Sequence, residues 1–162
     1  MANVERIMKG FKYIKMPVDS ATVIAKGDFI CRASSSESET EDYACTPPNV
    51  ADAGTADQNE AACAAQFVGI SCDASASGDT DDILVCVEGL VKLTLASASA
   101  VPVLDPIGMY AADTNTACTA QTCQETSTAN EIIAICAETQ SSASETTVFA
   151  YLKPILLNPV HA

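Results

Sequence analysis

Tryptophan is absent from this chain of 162 residues, histidine occurs once, and phenylalanine and tyrosine contribute four residues each. A core without many large aromatic rings must be assembled from aliphatic and small side chains, and Ala, Ser and Thr together supply 56 residues. The scarcity of histidine removes the usual partner of a base-assisted nucleophile, and His161, as the penultimate residue, reads as a surface group. No GxSxG elbow, GxxxxGK[ST] loop, GxGxxG turn or HExxH helix occurs. No catalytic residue and no cofactor are therefore assigned. CxxC pairs are missing too, the closest cysteines being Cys118 and Cys123 with four residues between them, so no zinc site is expected. No segment approaches the roughly 18 consecutive apolar residues of a membrane helix. The nearest, Ile83 to Leu95, is interrupted by Glu88 and Lys92, and the chain reads as soluble, with no membrane partner.

Basic residues are few: 8 against 21 acidic ones, for a formal charge of −13 and a sequence pI of about 4.1. Such a field repels phosphates, which argues against a nucleic-acid partner. The charge is unevenly spread. Arg6, Lys9, Lys12 and Lys15 meet only Glu5 in residues 1–15, so this stretch carries +3 and the remainder −16. Its apolar residues are interleaved with lysines rather than gathered into the h-region of a signal peptide. Residues 1–20 read as an extended arm that stays on the protein, either a frayed basic tail or, in the sharper reading, an arm that docks it to an acidic or polar protein surface. Electrostatics would come from the four cations and buried contact from Phe11, Tyr13 and Ile14.

Hydrophobic residues make up 48% of the chain, enough for one core, and their pattern has a period of two. Strands are expected at Thr22–Ala25, Phe29–Arg32, Gln66–Cys72, Asp82–Val87, Leu90–Leu95, Ile107–Ala111, Glu131–Ala137 and Thr146–Leu152. Glu88-Gly89 reads as the tight turn of a hairpin between two of them. The one helix candidate is Gln58–Gln66, with a cap among Asp52–Asp57. Gly27 and Asp28, with Gly89, are taken as structural turn residues, since glycine admits positive φ without the clash of a Cβ. Ser34–Asp42, Asp73–Asp82 and Gln140–Thr147 read as solvated loops, and 43–65 as a loop insertion. Asp79–Asp82 has the acids of a hard-cation turn but not the ligand order of an EF-hand. Of the eight cysteines, Cys31, Cys72, Cys86 and Cys136 fall in strand-like runs and suit small buried hydrophobes. Cys45, Cys63, Cys118 and Cys123 fall in polar sequence, where disulfides are favoured in an oxidising medium. The expected fold is all-β, a small β-barrel or β-sandwich over residues 21–157 with long loops and a tail at 158–162.

Ala25-Lys-Gly-Asp-Phe-Ile30, Val68-Gly-Ile-Ser71, Leu84-Val-Cys-Val-Glu-Gly-Leu-Val-Lys-Leu93, Pro106-Ile-Gly-Met-Tyr110, Ile132–Cys136 and Thr147–Leu157 follow one another in this order. The succession resembles the capsid decoration, or cement, proteins of tailed bacteriophages. In that family a KGD-apolar turn opens a small barrel or sandwich, a VGI strand follows, a VxVEGxVxL hairpin forms the middle, and a strand ending in LxP closes it. Asp105-Pro-Ile-Gly-Met-Tyr110, the 43–65 segment and the cysteines depart from the pattern. The resemblance implies a structural virion protein on the outer capsid surface, made in the host cytoplasm. Its partner would be the major capsid protein, whose subunits it would bridge, with self-association as a dimer or trimer on the capsid. Arg6, Lys9, Phe11, Lys12, Tyr13, Ile14 and Lys15 are the expected capsid contacts. A secreted or cell-surface disulfide-containing β-module is the alternative, disfavoured by the want of a signal peptide and of any Asn-x-Ser/Thr sequon.

Overall fold

The computed structural model describes residues 10–18, 20–32, 45–48, 55–112, 117–140 and 142–152. Among them, β1 (Lys12–Met16), β2 (Phe29–Arg32), β3 (Cys45–Thr46), β4 (Phe67–Ser71) and β5 (Ile83–Glu88) form an open five-stranded sheet in the order β1-β5-β4-β2-β3. A closed barrel follows from β6 (Leu90–Leu95), β7 (Pro106–Met109), β8 (Thr122–Glu125), β9 (Ile132–Cys136) and β10 (Thr147–Leu152), ordered β10-β6-β8-β7-β9. Its closing seam is the parallel pair β6 and β8, with Thr94 opposite Thr122 and Leu95 opposite Cys123. The helix α1 (Ala56–Gln66) packs against β2, β7 and the short 3-10 turn Ala129–Glu131. The fold is thus mostly β, as the period-two pattern predicts.

Barrel width grows with strand number, and eight strands leave only enough room for side chains. Five strands leave less. The register aligns Ala150 with Val91 and Cys136, Ala134 with Ile107 and Leu152, and Cys123 with Met109 and Leu95. Ala134, Ala150, Cys123 and Cys136 are wholly buried, so the small residues stand where the lumen allows no more. The buried thiols behave as compact hydrophobes that still find an acceptor. Cys123 Sγ donates to the Thr94 carbonyl at 3.2 Å and Cys136 Sγ to that of Glu138 at 3.0 Å.

One apolar cluster joins barrel and sheet, running from Phe29, Cys31, Phe67, Ile70 and Cys86 to Leu93, Ile107, Met109 and Val148. The sheet's other face carries a second cluster, of Met16, Val18, Ile24, Ile30, Val68, Ile83 and Val85. Both faces of β4 are therefore buried. A bulge sets Val68 and Gly69 against Ile30, keeping Phe67 and Ile70 on one side. A Cβ on Gly69 would collide with the Cys86 carbonyl oxygen and come within 3.0 Å of Val85 Cγ1.

Three expectations need correction. The runs flanking Glu88-Gly89 are strands but not a hairpin, because β5 pairs with β1 and β4 whereas β6 pairs with β10 and β8. A single linking residue cannot close a two-residue hairpin turn. Gly89 instead carries the chain from sheet to barrel at φ +144°, its carbonyl accepts the Leu152 N–H at 3.0 Å, and a Cβ there would strike the Phe11 ring. The arm reading of 1–20 fails for its described part: Lys12–Met16 is an edge strand on β5, and Met16 and Val18 are buried. Interleaved lysines and apolar residues are also the pattern of a strand whose one face is covered. The loop-insertion reading of 43–65 fails at its end, where α1 buries Asn59, Glu60, Cys63 and Ala64. That helix starts earlier than expected, at a capping box in which Thr55 and Gln58 each bond the other's backbone N–H. Thr22–Ala25 is reduced to the bridge between Ile24 and Ser75, while β1, β3 and β8 lay outside the expected strands.

Filling the lumen further should be costly. Ala150→Leu is expected to lower stability by about 1–3 kcal/mol through overpacking, while Tyr151→Leu, one residue along on the exposed face, should change it by less than about 1 kcal/mol. Urea denaturation of both variants checks the contrast, and equal costs would mean that the barrel interior can expand.

Candidate docking surface

Of the expected capsid contacts, Arg6 and Lys9 lie outside the described residues. Lys12 Nζ pairs with Glu88 Oε2 at 2.6 Å across the β1–β5 ladder. Phe11 and Tyr13 stack with centroids 6.1 Å apart and pack on the core shared by sheet and barrel. They are thereby corrected from partner contacts to packing residues, and burial together with Cys86 and Cys72 pushes the Tyr13 hydroxyl pKa up. Ile14, on the other face, is 39% exposed, and Lys15 is exposed. Ile14 and Lys15, on opposite faces of this edge strand, are both exposed, while Phe11 and Tyr13 pack on the protein's own core.

The turn residues tie the sheet to the barrel. Gly27, at φ +93°, donates its N–H to Ser71 and closes a turn in which Asp28 N–H meets the Ala25 carbonyl at 3.1 Å. Asp28 is buried: Oδ2 accepts the Ala25 N–H at 2.8 Å and Oδ1 the Gln121 side-chain amide at 2.7 Å. Phe29 N–H reaches the Ala120 carbonyl at 2.6 Å. Position 28 therefore needs a carboxylate that bonds a turn and the strand connection before β8 together.

Sequence pattern did not single out the most exposed apolar side chains. Leu104 is 74% exposed, Val23, away in the segment before β2, 61%, Tyr151 57% and Val103 45%. Strand register sets Pro106, Ile135, Tyr151 and Leu90 side by side along the outer barrel face, across β7, β9, β10 and β6. Leu104 sits at the entry to that row, where its N–H donates to the Cys136 carbonyl at 2.9 Å. Its φ of +73° makes it the non-glycine residue of positive φ among those described. A bulky side chain in the left-handed region costs about 1–2 kcal/mol. Only the exposed loop Pro102-Val103-Leu104-Asp105 could have drawn attention in the sequence.

A polar cluster lies beneath α1. Glu60 is buried; its Oε1 accepts the Ala111 N–H at 2.8 Å and its Oε2 the Gln124 amide at 2.8 Å. Nearby, the Thr126 hydroxyl donates to buried Glu131 Oε2 at 2.6 Å. Burial raises the Glu60 pKa above its ordinary 4.5, the Ala111 N–H and Gln124 amide oppose that rise, and Glu131 and Asp57 add to it. In the acidic turn, Asp79 Oδ1 accepts the Asp81 N–H at 3.0 Å, a local Asx bond. Among the described residues no cluster of three or more His, Cys, Asp or Glu is placed to hold a metal ion, and no helix is long and apolar enough to cross a membrane. Neither a protein-family model nor a curated protein sequence matches this chain.

The Glu60 site makes stability depend on pH with a definite sign. A carboxyl whose folded pKa exceeds its unfolded value contributes stability fully below about pH 4.5 and loses it as pH rises through the folded value. Glu60→Gln keeps an acceptor for Ala111, so its melting temperature relative to wild type should climb as the pH is raised above about 4.5. Glu60→Ala leaves the Ala111 and Gln124 donors unpaired and should cost on the order of 2–4 kcal/mol. Thermal melts across the pH series check both, and a constant Gln-to-wild-type difference would contradict the assignment.

Proposed function

We propose that this chain is a structural binding protein which decorates the outer surface of a bacteriophage capsid, seated between major capsid subunits. The observation carrying this reading is Leu104, a bulky apolar side chain held in the left-handed region and 74% exposed. The turn Pro102–Asp105, closed by the Asp105 N–H on the Pro102 carbonyl at 3.2 Å, accounts for the positive φ and holds the exposed Leu104 side chain in one place. With Val103 and Tyr151 it offers a hydrophobic contact on a rigid barrel, and such side chains, desolvated in a partner's pocket, dominate binding energy. Lys15 on β1 adds a second, basic contact that assists encounter. The succession of sequence motifs is what points to a capsid shell as the partner. The strong negative charge of the remaining surface suits dense display, because copies held side by side repel non-specific association. No catalytic role is given to any residue.

Binding to undecorated particles tests the reading. Leu104→Asp should weaken binding on the order of 30-fold, the loss expected for a hot-spot residue, with the far-ultraviolet spectrum unchanged. Leu104→Gly should lose binding similarly yet gain about 1 kcal/mol of stability by relieving the positive φ. Lys15→Glu should weaken binding in a salt-dependent way, since exposed charges are screened within about 8–10 Å at 0.1–0.15 M ionic strength. Wild-type occupancy by both Leu104 variants would exclude this surface from the contact.

A further inference from the structure

Four cysteines, Cys45, Cys63, Cys118 and Cys123, stand in sequence suited to disulfides, and the fold gives them different surroundings. Cys123 lies inside the barrel on the Thr94 carbonyl. Cys63 is on the buried side of α1, and Cys118 lies in the segment that leads into β8. Cys118 Sγ donates to the Asn59 carbonyl at 3.7 Å. Asn59 stands one helical turn before Cys63, which puts the Cys118 sulfur alongside the helix on the Cys63 side. In the helix the Asn59 carbonyl faces the Cys63 N–H, so the Cys118 sulfur lies at the level of Cys63, on the side toward which the Cys63 Cβ leans. Both backbones are anchored. Thr119 N–H bonds the Tyr110 carbonyl at 2.9 Å and its hydroxyl the Thr122 carbonyl at 3.0 Å, while Glu60, on the same helix as Cys63, holds Ala111. Cys31 is the third thiol nearby, and its Sγ addresses the Cys63 carbonyl, at 3.5 Å.

We propose that Cys63 and Cys118 form a built disulfide site, which cross-links α1 to the β7–β8 connection when the chain meets a disulfide oxidant such as glutathione disulfide. One cysteine thiolate attacks the oxidant's sulfur and releases one glutathione thiol; the second then displaces the other glutathione from the mixed disulfide. The two cysteines lose two electrons and two protons, and one glutathione disulfide becomes two glutathiones. Burial of both sulfurs places this reaction before α1 has closed on the barrel, or during its local opening, and shields the bond afterwards. The bond would span 54 intervening residues, a long loop whose closure restricts the unfolded chain strongly. Of the two thiols beside Cys63, Cys118 lies on the Asn59 carbonyl, on the N-terminal side toward which the Cys63 Cβ leans, whereas Cys31 lies on the Cys63 carbonyl, which points the other way along the helix.

The full chain, refolded in a reduced and oxidised glutathione buffer, alkylated with iodoacetamide and digested with trypsin without reduction, tests this. Cleavage after Lys26, Arg32 and Lys92 puts Cys31, Cys63 and Cys118 on separate peptides, 27–32, 33–92 and 93–162. The expected product is peptide 33–92 linked to 93–162, with fragmentation placing the bond at Cys63 and Cys118 and with Cys31 alkylated. Reduction should then lower the melting temperature by roughly 5–15 °C, and Cys63→Ala or Cys118→Ala should abolish the link. Full alkylation of Cys63 and Cys118, a link from peptide 27–32, or a bond at other cysteines would overturn the proposal. The wild-type peptide map decides the matter even where a variant fails to fold.

Discussion

The narrowness of a five-stranded closed barrel is the constraint on which the rest of this structure depends. Its wall is satisfied by hydrogen bonds between neighbouring strands, and its lumen admits few large side chains. Ala134, Ala150, Cys123 and Cys136 fill it where two strands face one another, and Leu93, Met109 and Ile107 fill the gaps between. The absence of tryptophan, the abundance of alanine and part of the cysteine content share this cause. Cysteine suits such a position because it is small and apolar, and its weak donor can reach a carbonyl of the wall.

A barrel this small buries little surface on its own, and small cores are marginal. The open sheet extends it. Phe29, Cys31, Phe67 and Ile70 lie on the same apolar cluster as the barrel residues, and Phe29 and Phe67 meet edge to face with centroids 6.0 Å apart. Polar ties set the angle at which sheet and barrel meet. Asp28 bonds Gln121, Phe29 N–H bonds Ala120, and Glu60 brings α1 onto Ala111 and Gln124. These bonds join segments far apart in sequence and lie at buried or half-buried positions, so an unpaired partner would be costly.

With sheet and barrel locked together, the proposed binding falls to side chains that packing does not use. Phe11 and Tyr13 pack internally, whereas Tyr151 and Leu104 are exposed. A protein with such a surface and an excess of acidic charge is suited to a specific hydrophobic contact and poorly suited to indiscriminate association. The proposed decoration of a shell would ask for that combination: one strong contact per copy, and mutual repulsion elsewhere.

The period-two alternation, the Gly and Pro punctuation and the lack of a long apolar stripe were sufficient to establish a β protein and to place most of its strands. They act locally, through the alternation of side chains along a strand and the φ angles a turn requires. Gly27, at φ +93°, was legible in that way, as was the helix ending at Gln66. Pairing was not. The alternation of Ile83, Val85 and Val87 before Gly89, and of Val91, Leu93 and Leu95 after it, specifies two strands but says nothing of their partners. A strand's hydrogen-bonding edges are the same whatever lies beside them, and only tertiary structure sent β5 to the sheet and β6 to the barrel. Likewise, a lysine-rich stretch with Phe11 and Tyr13 is compatible with a free arm or a covered edge strand, and burial against β5 decided between them. The approach of Cys118 to the helix at Asn59 and the exposure of Leu104 are also products of distant segments converging, which no local pattern encodes.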